Sequence, residues 1–207
     1  MKKYVLTEVT KEFLGITLYQ IRAIRSFGDV EEGELGGWVA SEDNLSQDGN
    51  AWVSGNAWVS GNAWVSGNAR VCGDAQVSGN AWVSGDAQVS GNAQVSGDAQ
   101  VSGNAQVSGN AQVYGNARVS GNARVKTSKH IVWFSSVGSE NGTLTAYVTK
   151  TGEIEVTRGC FRGTLQEFED AVQQRHGASQ HAQEYLALIQ YIRIRFQNIT
   201  VVEEESV

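Results

Sequence analysis

The chain has 207 residues and a formal net charge of −6, with an isoelectric point of about 5.1. This acidic balance argues against a general nucleic-acid binder, which usually carries a basic excess. No 18-residue apolar stretch is present, and the first residues lack the apolar run of a signal peptide, so we expect a cytoplasmic protein that does not enter a membrane. Cys72 and Cys160 are far apart in sequence and form no disulfide framework, which fits a reducing compartment.

Residues 1–38 predict a cap that precedes a repeat. The stretches YVLTEV and ITLYQIRAI have the composition of strands. A cap is physically required, because the open end of a repeat array exposes its apolar core and unpaired strand edges.

Residues 39–128 repeat a six-residue frame, A-x-V-S-G-N/D, with a valine at every sixth position from Val53 to Val125. In a strand, Ala and Val then point to one side, and the x and Ser positions to the other. The Gly-Asn or Gly-Asp pair supplies a tight corner. Three such hexads make a triangular coil of 18 residues, so the fifteen hexads predict a solenoid of five coils, roughly 24 Å tall at about 4.8 Å per coil.

The motif resembles the hexapeptide repeat of left-handed parallel β-helices, and the left hand is what that resemblance implies. The stretch LGGWVASEDNLSQDGNAWV, residues 35–53, looks like the opening of a group of bacterial and phage hexapeptide-repeat proteins. Acyltransferases of this architecture use a histidine base, and its carbonic anhydrases use three zinc-binding histidines. Residues 39–128 contain no histidine, so we expect no metal, no cofactor and no enzyme activity.

Tryptophans cluster at the start of the repeat. Trp52, Trp58 and Trp64 belong to one coil, one on each face, and the 18-residue spacing stacks Trp82 on Trp64. A cap of 38 residues covers one or two faces but hardly three. Because an uncovered apolar patch is usually buried against a partner, we expect these tryptophans to form a homo-oligomer interface. The family resemblance implies a trimer, with a dimer next; the alternative is that the cap covers them all or that they are singly exposed.

Residues 129–207 change character and predict a small α+β domain. HIVWFSSV, TLTAYVTK and EIEVTRGCF read as three strands. A capping box from Thr164 to Glu167 opens a helix that ends near Gly177. A second helix over about 179–196 carries an apolar stripe, and the acidic tail VVEEESV is expected to be loose. The domain is similar to a phage-encoded module in which GSxxGTLTAY and GCFRGTLxEF recur. The stripe consists of Tyr185, Leu188, Ile189 and Ile192.

One constellation in this domain predicts a ligand site. Arg158 and Arg162 flank the point where a strand is expected to run directly into a helix N-terminus, which favours an anion such as a phosphate. Phe161 and Tyr147 would stack on a base if the ligand were a nucleotide. The alternative is that the arginines are solvated, or bind a carboxylate of a partner protein. The remaining candidate ligand-binding residues are Gly163, Thr164, Ser139, Thr143 and Thr145.

These features together predict a non-enzymatic binding protein of phage or prophage type, in the cytoplasm of an infected bacterial host. Its C-terminal domain would capture a phosphate-bearing small molecule, such as a nucleotide-like signal, or a host defence protein. The β-helix would act as the oligomerisation scaffold. Two alternatives remain: a purely structural, self-assembling β-helix protein, and an acyltransferase-like or nucleotidyl-transferring enzyme with its active site between chains.

Overall fold

A computed structural model describes residues 1–199. It confirms the predicted fold class: a β-solenoid of about five turns, preceded by strands and followed by a small sheet with two helices. The acidic tail predicted to be loose lies outside the described residues. Among the described helices, none is long and apolar enough to cross a membrane.

The N-terminal strands are continuous with one face of the solenoid. Strands β1 (Tyr4–Phe13) and β2 (Ile16–Ala23) form an antiparallel hairpin, and β2 also pairs antiparallel with β3 (Leu35–Val39). β3 then pairs in parallel with the solenoid strand at Trp58–Val59. The cap therefore extends one solenoid face into a seven-stranded sheet.

The solenoid core consists of the alanines and valines of the frame, which are buried throughout. Each corner places its glycine at positive φ, as at Gly91 (φ +64°), where a Cβ would lie 3.0 Å from the amide nitrogen of Gly109 in the next coil. Glycine is therefore needed both for the turn and for the close stacking of corners. The solenoid strands are β4 (Trp52–Val53), β5 (Trp58–Val59), β6 (Trp64–Val65), β7 (Arg70–Val71), β8 (Gln76–Val77), β9 (Trp82–Val83), β10 (Gln88–Val89), β11 (Gln94–Val95), β12 (Gln100–Val101), β13 (Gln106–Val107), β14 (Gln112–Val113), β15 (Arg118–Val119) and β16 (Arg124–Val125).

The coils stack with a spacing of 18 residues, as the sequence predicted. Gln88 aligns with Gln106, and Trp64 aligns with Trp82. At the corners an asparagine amide donates to the residue one coil below, for example Asn68 to Asp86 at 2.9 Å. Each corner aspartate thus accepts from an amide rather than meeting another carboxylate.

The C-terminal domain is an antiparallel sheet with two helices on one face. Its strands are β17 (Ile131–Val137), β18 (Gly142–Val148), β19 (Ile154–Arg158) and β20 (Phe161–Thr164), paired in sequence order. The predicted third strand, EIEVTRGCF, is in fact broken by a turn at Gly159 and Cys160, where Gly159 has φ +59°. That turn folds the chain back as a hairpin, so a fourth strand separates Arg158 from the helix.

The two helices are α1 (Leu165–His176) and α2 (Gln180–Phe196). They pack against the sheet through a core that is separate from that of the solenoid. The predicted stripe on α2 is largely buried, with Tyr185 at 5% exposure and Ile189 and Ile192 at 0%, whereas Leu188 is only partly buried.

The other face of this sheet closes the C-terminal end of the solenoid. The backbone amide of Arg118 donates to Thr145 Oγ1 at 3.0 Å, and the amide of Ser120 donates to the Tyr147 hydroxyl at 3.3 Å. Thr157 Oγ1 returns a hydrogen bond to the Arg118 carbonyl at 3.0 Å. The sheet therefore supplies partners for strand-edge groups that have no coil beneath them.

Candidate functional site

The sheet of the C-terminal domain divides the predicted ligand-binding residues into two groups. Side chains alternate between the faces of a strand, and in the β19–β20 hairpin Arg158 pairs with Phe161 while Thr157 pairs with Arg162. Arg158 and Phe161 therefore face the helices, and Arg162 faces the solenoid. The prediction that the two arginines converge on one point is wrong, because the unforeseen turn places them on opposite faces.

The solenoid-facing residues are used in bonds within the C-terminal sheet and between that sheet and the solenoid. Arg162 makes a bidentate ion pair with Glu155, at 2.7 Å from Nε and 3.2 Å from Nη2. Hydrogen bonding to Glu155 raises the pKa of Arg162. Tyr147 is fully buried and donates to the same carboxylate at 2.6 Å, and burial raises its pKa. Tyr147 thus has no face available for stacking on a base, and Thr145 is committed to the solenoid edge.

The N-terminus of α1 is likewise occupied, by a side chain of the helix itself. The Thr164 amide donates to Glu167 Oε2 at 2.8 Å, and the Glu167 amide donates to Thr164 Oγ1 at 3.2 Å, which completes the predicted capping box. A Cβ at Gly163 would approach the same carboxylate. A phosphate at Gly163 and Thr164 would meet a negative charge, so this helix end is not the open anion site that we expected.

The helix-facing group opens onto a cavity of about 290 Å³ between the sheet and the two helices. Three predicted residues line it: Arg158, Phe161 and Ser139. Thr143 is half-buried on β18 and is not part of the lining. Gly159, which the sequence also placed in the ligand-binding turn, lines the cavity too. The residues that the sequence reasoning did not select are Glu140, Cys160, Phe168, Ala171, Val172, Arg175, His176 and Tyr185.

Arg158 is the most buried of the charged residues that line this cavity. Its side chain is only 11% exposed. Nη2 donates to the Val137 carbonyl at 2.9 Å, while the nearest carboxylate, Glu140, is 3.9 Å from Nη1. Nε is buried and has no hydrogen-bond partner among the described residues. A nearly buried guanidinium whose nearest carboxylate is loosely placed at 3.9 Å favours an additional anion.

Part of the lining is aromatic. Phe168 packs between Phe161 and Tyr185, with ring centroids 5.2 Å and 5.5 Å apart respectively. His176 stands 5.7 Å from the Tyr185 ring. The cavity therefore combines an apolar wall with cationic or protonatable groups at its edge, an arrangement typical of sites for small molecules.

A helical periodicity in the sequence could have identified part of this lining. Phe168, Val172, Arg175 and His176 recur at spacings of four, three and one residues, so they share one face of α1. Their proximity to Arg158 depends on the hairpin at Gly159, which the sequence reasoning did not predict.

The four tryptophans predicted to form an oligomer interface also fall into two groups, one covered by the cap and one exposed. Trp52 is 1% exposed and packs against Tyr4 and Phe27 of the cap. Trp58 is half-buried against Phe13, at 5.1 Å between ring centroids. Trp52 is thus withdrawn from any interface with another chain, and Trp58 is largely so, because the cap covers two faces. Trp64 and Trp82 remain 41% and 45% exposed.

Comparison with known proteins supports the solenoid. Six overlapping or neighbouring stretches match the YdcK β-solenoid repeat: residues 51–67, 75–91, 87–103, 93–109, 99–115 and 111–127. The repeat and the coil geometry together fit a hexapeptide-repeat β-helix family.

One similar protein is an uncharacterized acetyltransferase, YdcK, from Escherichia coli strain K12. It is 39% identical over 61 residues, which cover 26% of this chain and 19% of the relative. The chain thus matches about a fifth of that protein's length. The similarity is weak, but it overturns our expectation that the chain is not an enzyme, because that protein is named as an acetyltransferase.

Proposed function

We propose that this chain binds a small anionic molecule in the cavity between the C-terminal sheet and its two helices. The observation that carries the proposal is Arg158, whose guanidinium is nearly buried and whose nearest carboxylate among residues 1–199 is 3.9 Å away. An anion there would gain charge-assisted hydrogen bonds, which are about twice as strong as neutral ones. Arg175, exposed at the same cavity, would add a second positive charge.

The residues that line the cavity indicate the chemical class of the ligand. Phe161 and Phe168 offer apolar and aromatic surface, while Arg158 and Arg175 offer two positive charges against the exposed carboxylate of Glu140. This combination favours a phosphate-bearing molecule with a planar or apolar portion, and nucleotides have that chemistry. We further propose that the protein is of phage type and captures such a molecule because it serves as a signal in the host. The resemblance of the C-terminal segment to phage modules supports this proposal.

A second candidate is acetyl transfer, which the similarity to the acetyltransferase YdcK favours. The cavity carries a thiol at Cys160 and an imidazole at His176, the kinds of group that acyl transfer uses as acceptor and base. Acetyl-coenzyme A is itself a phosphate-bearing nucleotide derivative. Both candidates therefore require the same binding step and differ in whether turnover follows.

Calorimetry tests the binding step. The purified protein is titrated with mono-, di- and cyclic nucleotides and with acetyl-coenzyme A. We expect one of these classes to bind, and Arg158→Gln to weaken its binding by about tenfold to a hundredfold, since a hydrogen bond to a charged group contributes about 1.5–3 kcal/mol. Arg162→Gln is the matched control, because that arginine lies on the opposite face of the sheet.

The outcomes separate the candidates. Binding without product supports capture. Release of free coenzyme A, with the acetyl group found on the Cys160 thiol by mass spectrometry, supports acetyl transfer. Absence of binding by every compound, or weakening by Arg162→Gln and not by Arg158→Gln, contradicts the cavity as the site. Melting curves of both variants show whether the fold is retained.

A further inference from the structure

The third face of the solenoid is the one whose tryptophans the cap leaves uncovered. We define it by the outward residues of β6, β9, β12 and β15, which stack in register. With about 4.8 Å between coils, these four positions span roughly 14 Å. The residues are Trp64, Trp82, Gln100 and Arg118.

One end of the third face carries an exposed pair of stacked indoles, Trp64 and Trp82, which we call the knob. The Trp64 and Trp82 rings stack with centroids 5.4 Å apart and planes 26° apart. Trp82 Nε1 lies 3.5 Å from Ser66 Oγ, which helps to hold the pair in place. Two stacked indoles, each more than two-fifths exposed, are the kind of anchor that protein interfaces bury.

The other end carries a groove of about 170 Å³ where the C-terminal domain overhangs the last coil. Its wall includes the β19–β20 turn, whose Gly159 carbonyl accepts from Arg118 Nη1 at 3.3 Å. Arg118 places a guanidinium at this end, whereas the neighbouring Arg162 is already paired with Glu155. Knob and groove therefore occupy opposite ends of a single face.

We propose that the third face binds a second copy of this chain, with the two solenoids antiparallel. The two-fold axis lies in the interface between the two faces, perpendicular to the solenoid axis and level with the midpoint between Trp82 and Gln100. It brings Trp64 of each copy to the groove beside Arg118 of the other. Each contact then joins an indole to a guanidinium, a favourable cation–π pairing. Both knobs and both grooves are used at once, so the assembly closes at two copies.

The alternative two-fold packing has its axis along the solenoid, and it is electrostatically unfavourable. It would set Trp64 against Trp64 and Arg118 against Arg118. Like charges then meet at a desolvated contact. Charge complementarity thus selects the antiparallel pair, in preference to the trimer that the family resemblance implied.

Sedimentation equilibrium tests this proposal with three variants. We expect the parent to associate as a dimer, and Trp64→Ala and Arg118→Ala each to weaken dimerisation by about tenfold or more, because each removes two symmetry-related cation–π contacts. Gln88→Ala is the matched control, since it is an exposed side chain on another face, and it should leave the association unchanged.

Mixing the two weakened variants distinguishes the orientation. A heterodimer of Trp64→Ala and Arg118→Ala keeps one complete indole–guanidinium contact, so the mixture should associate more tightly than either variant alone. In the alternative packing, Arg118→Ala would relieve repulsion and tighten the dimer. A parent that stays monomeric at the highest soluble concentration, or an Arg118→Ala dimer as tight as the parent, overturns the proposal.

Discussion

Lys3 closes the N-terminal end of the solenoid by an uncommon use of a charged side chain. It is fully buried, and its Nζ donates to the carbonyls of Asp48, Gly49 and Ala51 at 2.9–3.3 Å. These carbonyls belong to the first coil and have no coil above them. Burial, with a contribution from the nearby Arg25, lowers the pKa of Lys3 from 10.5 to about 8.

This lowered pKa predicts a specific dependence of stability on pH. Between pH 8 and 10.5 the unfolded chain holds the Lys3 proton while the folded chain releases it, so the Lys3 contribution to the free energy of unfolding should rise with pH in that window. Denaturant titrations of the parent and of Lys3→Met at several pH values give the free energy of unfolding of each. The difference between the two should increase as the pH rises from 8 to 10.5. Lys2→Met, at an exposed neighbouring position, is the control; a difference that stays flat or falls for Lys3→Met contradicts the assignment.

Each hexad is the element that decides whether the array forms, and its inward valine is the sensitive position. Val89 is fully buried, whereas the adjacent Gln88 points outward and is exposed. Val89→Asp would bury an unpaired carboxylate and should lower the free energy of unfolding by about 3–5 kcal/mol. Gln88→Asp introduces the same residue outside and should change it by about 0.5 kcal/mol or less. Equal effects in urea unfolding would contradict the inward and outward assignment.

The same elements show what a sequence can and cannot predict. The positions of Val53 to Val125 establish the coil, the corner and the stacking partner, because each depends only on a local period. The faces of Arg158 and Arg162 could not be assigned, because the turn at Gly159 and Cys160 reverses the chain and the alternation restarts beyond it. The cavity could not be foreseen either, since it depends on how α1 and α2 pack on the sheet.

At the scale of the whole molecule, the described contacts of the cap lie in the first coils and those of the C-terminal domain lie in the last coils. Trp52 and Trp58 contact the cap, and Arg118 and Ser120 contact the C-terminal domain. In repeat proteins stability is approximately a sum over repeats and their interfaces. The middle coils are therefore expected to be removable without loss of either end.

Deletion of residues 87–104 removes one complete coil and tests this independence. We expect the shortened protein to fold, and to unfold at lower denaturant concentration because one interface between coils is gone. Circular dichroism and urea unfolding measure both properties. Deletion of 87–105 also removes Ala105 and leaves one hexad a residue too short to reach its corner; if it folds as well as the first deletion, the coil register is wrong.

The solenoid has a chemical direction that follows from its hydrogen bonds. Where a further coil follows, the amides of the outward residue and of the serine donate to the next coil toward the C terminus, as at Gln88 and Ser90. Some corner amides do the same, as at Asn92. The first coil therefore presents a surplus of carbonyls, and the last coil a surplus of amides. The ammonium group of Lys3 meets the former, and Thr145 Oγ1 and the Tyr147 hydroxyl accept from the latter.

Because the hydrogen bonds all run in one direction, the two uncapped ends of the solenoid would be complementary to each other, as they are in a fibre. A carbonyl-rich end of one molecule matches the amide-rich end of the next, and nothing in a uniform repeat limits how many would join. The ammonium at one terminus and the hydroxyls at the other act as chain stoppers, each of the polarity that its own end requires. Without the cap and the C-terminal domain that carry these groups, the two ends would match one another, so both end segments help to separate a discrete protein from a filament.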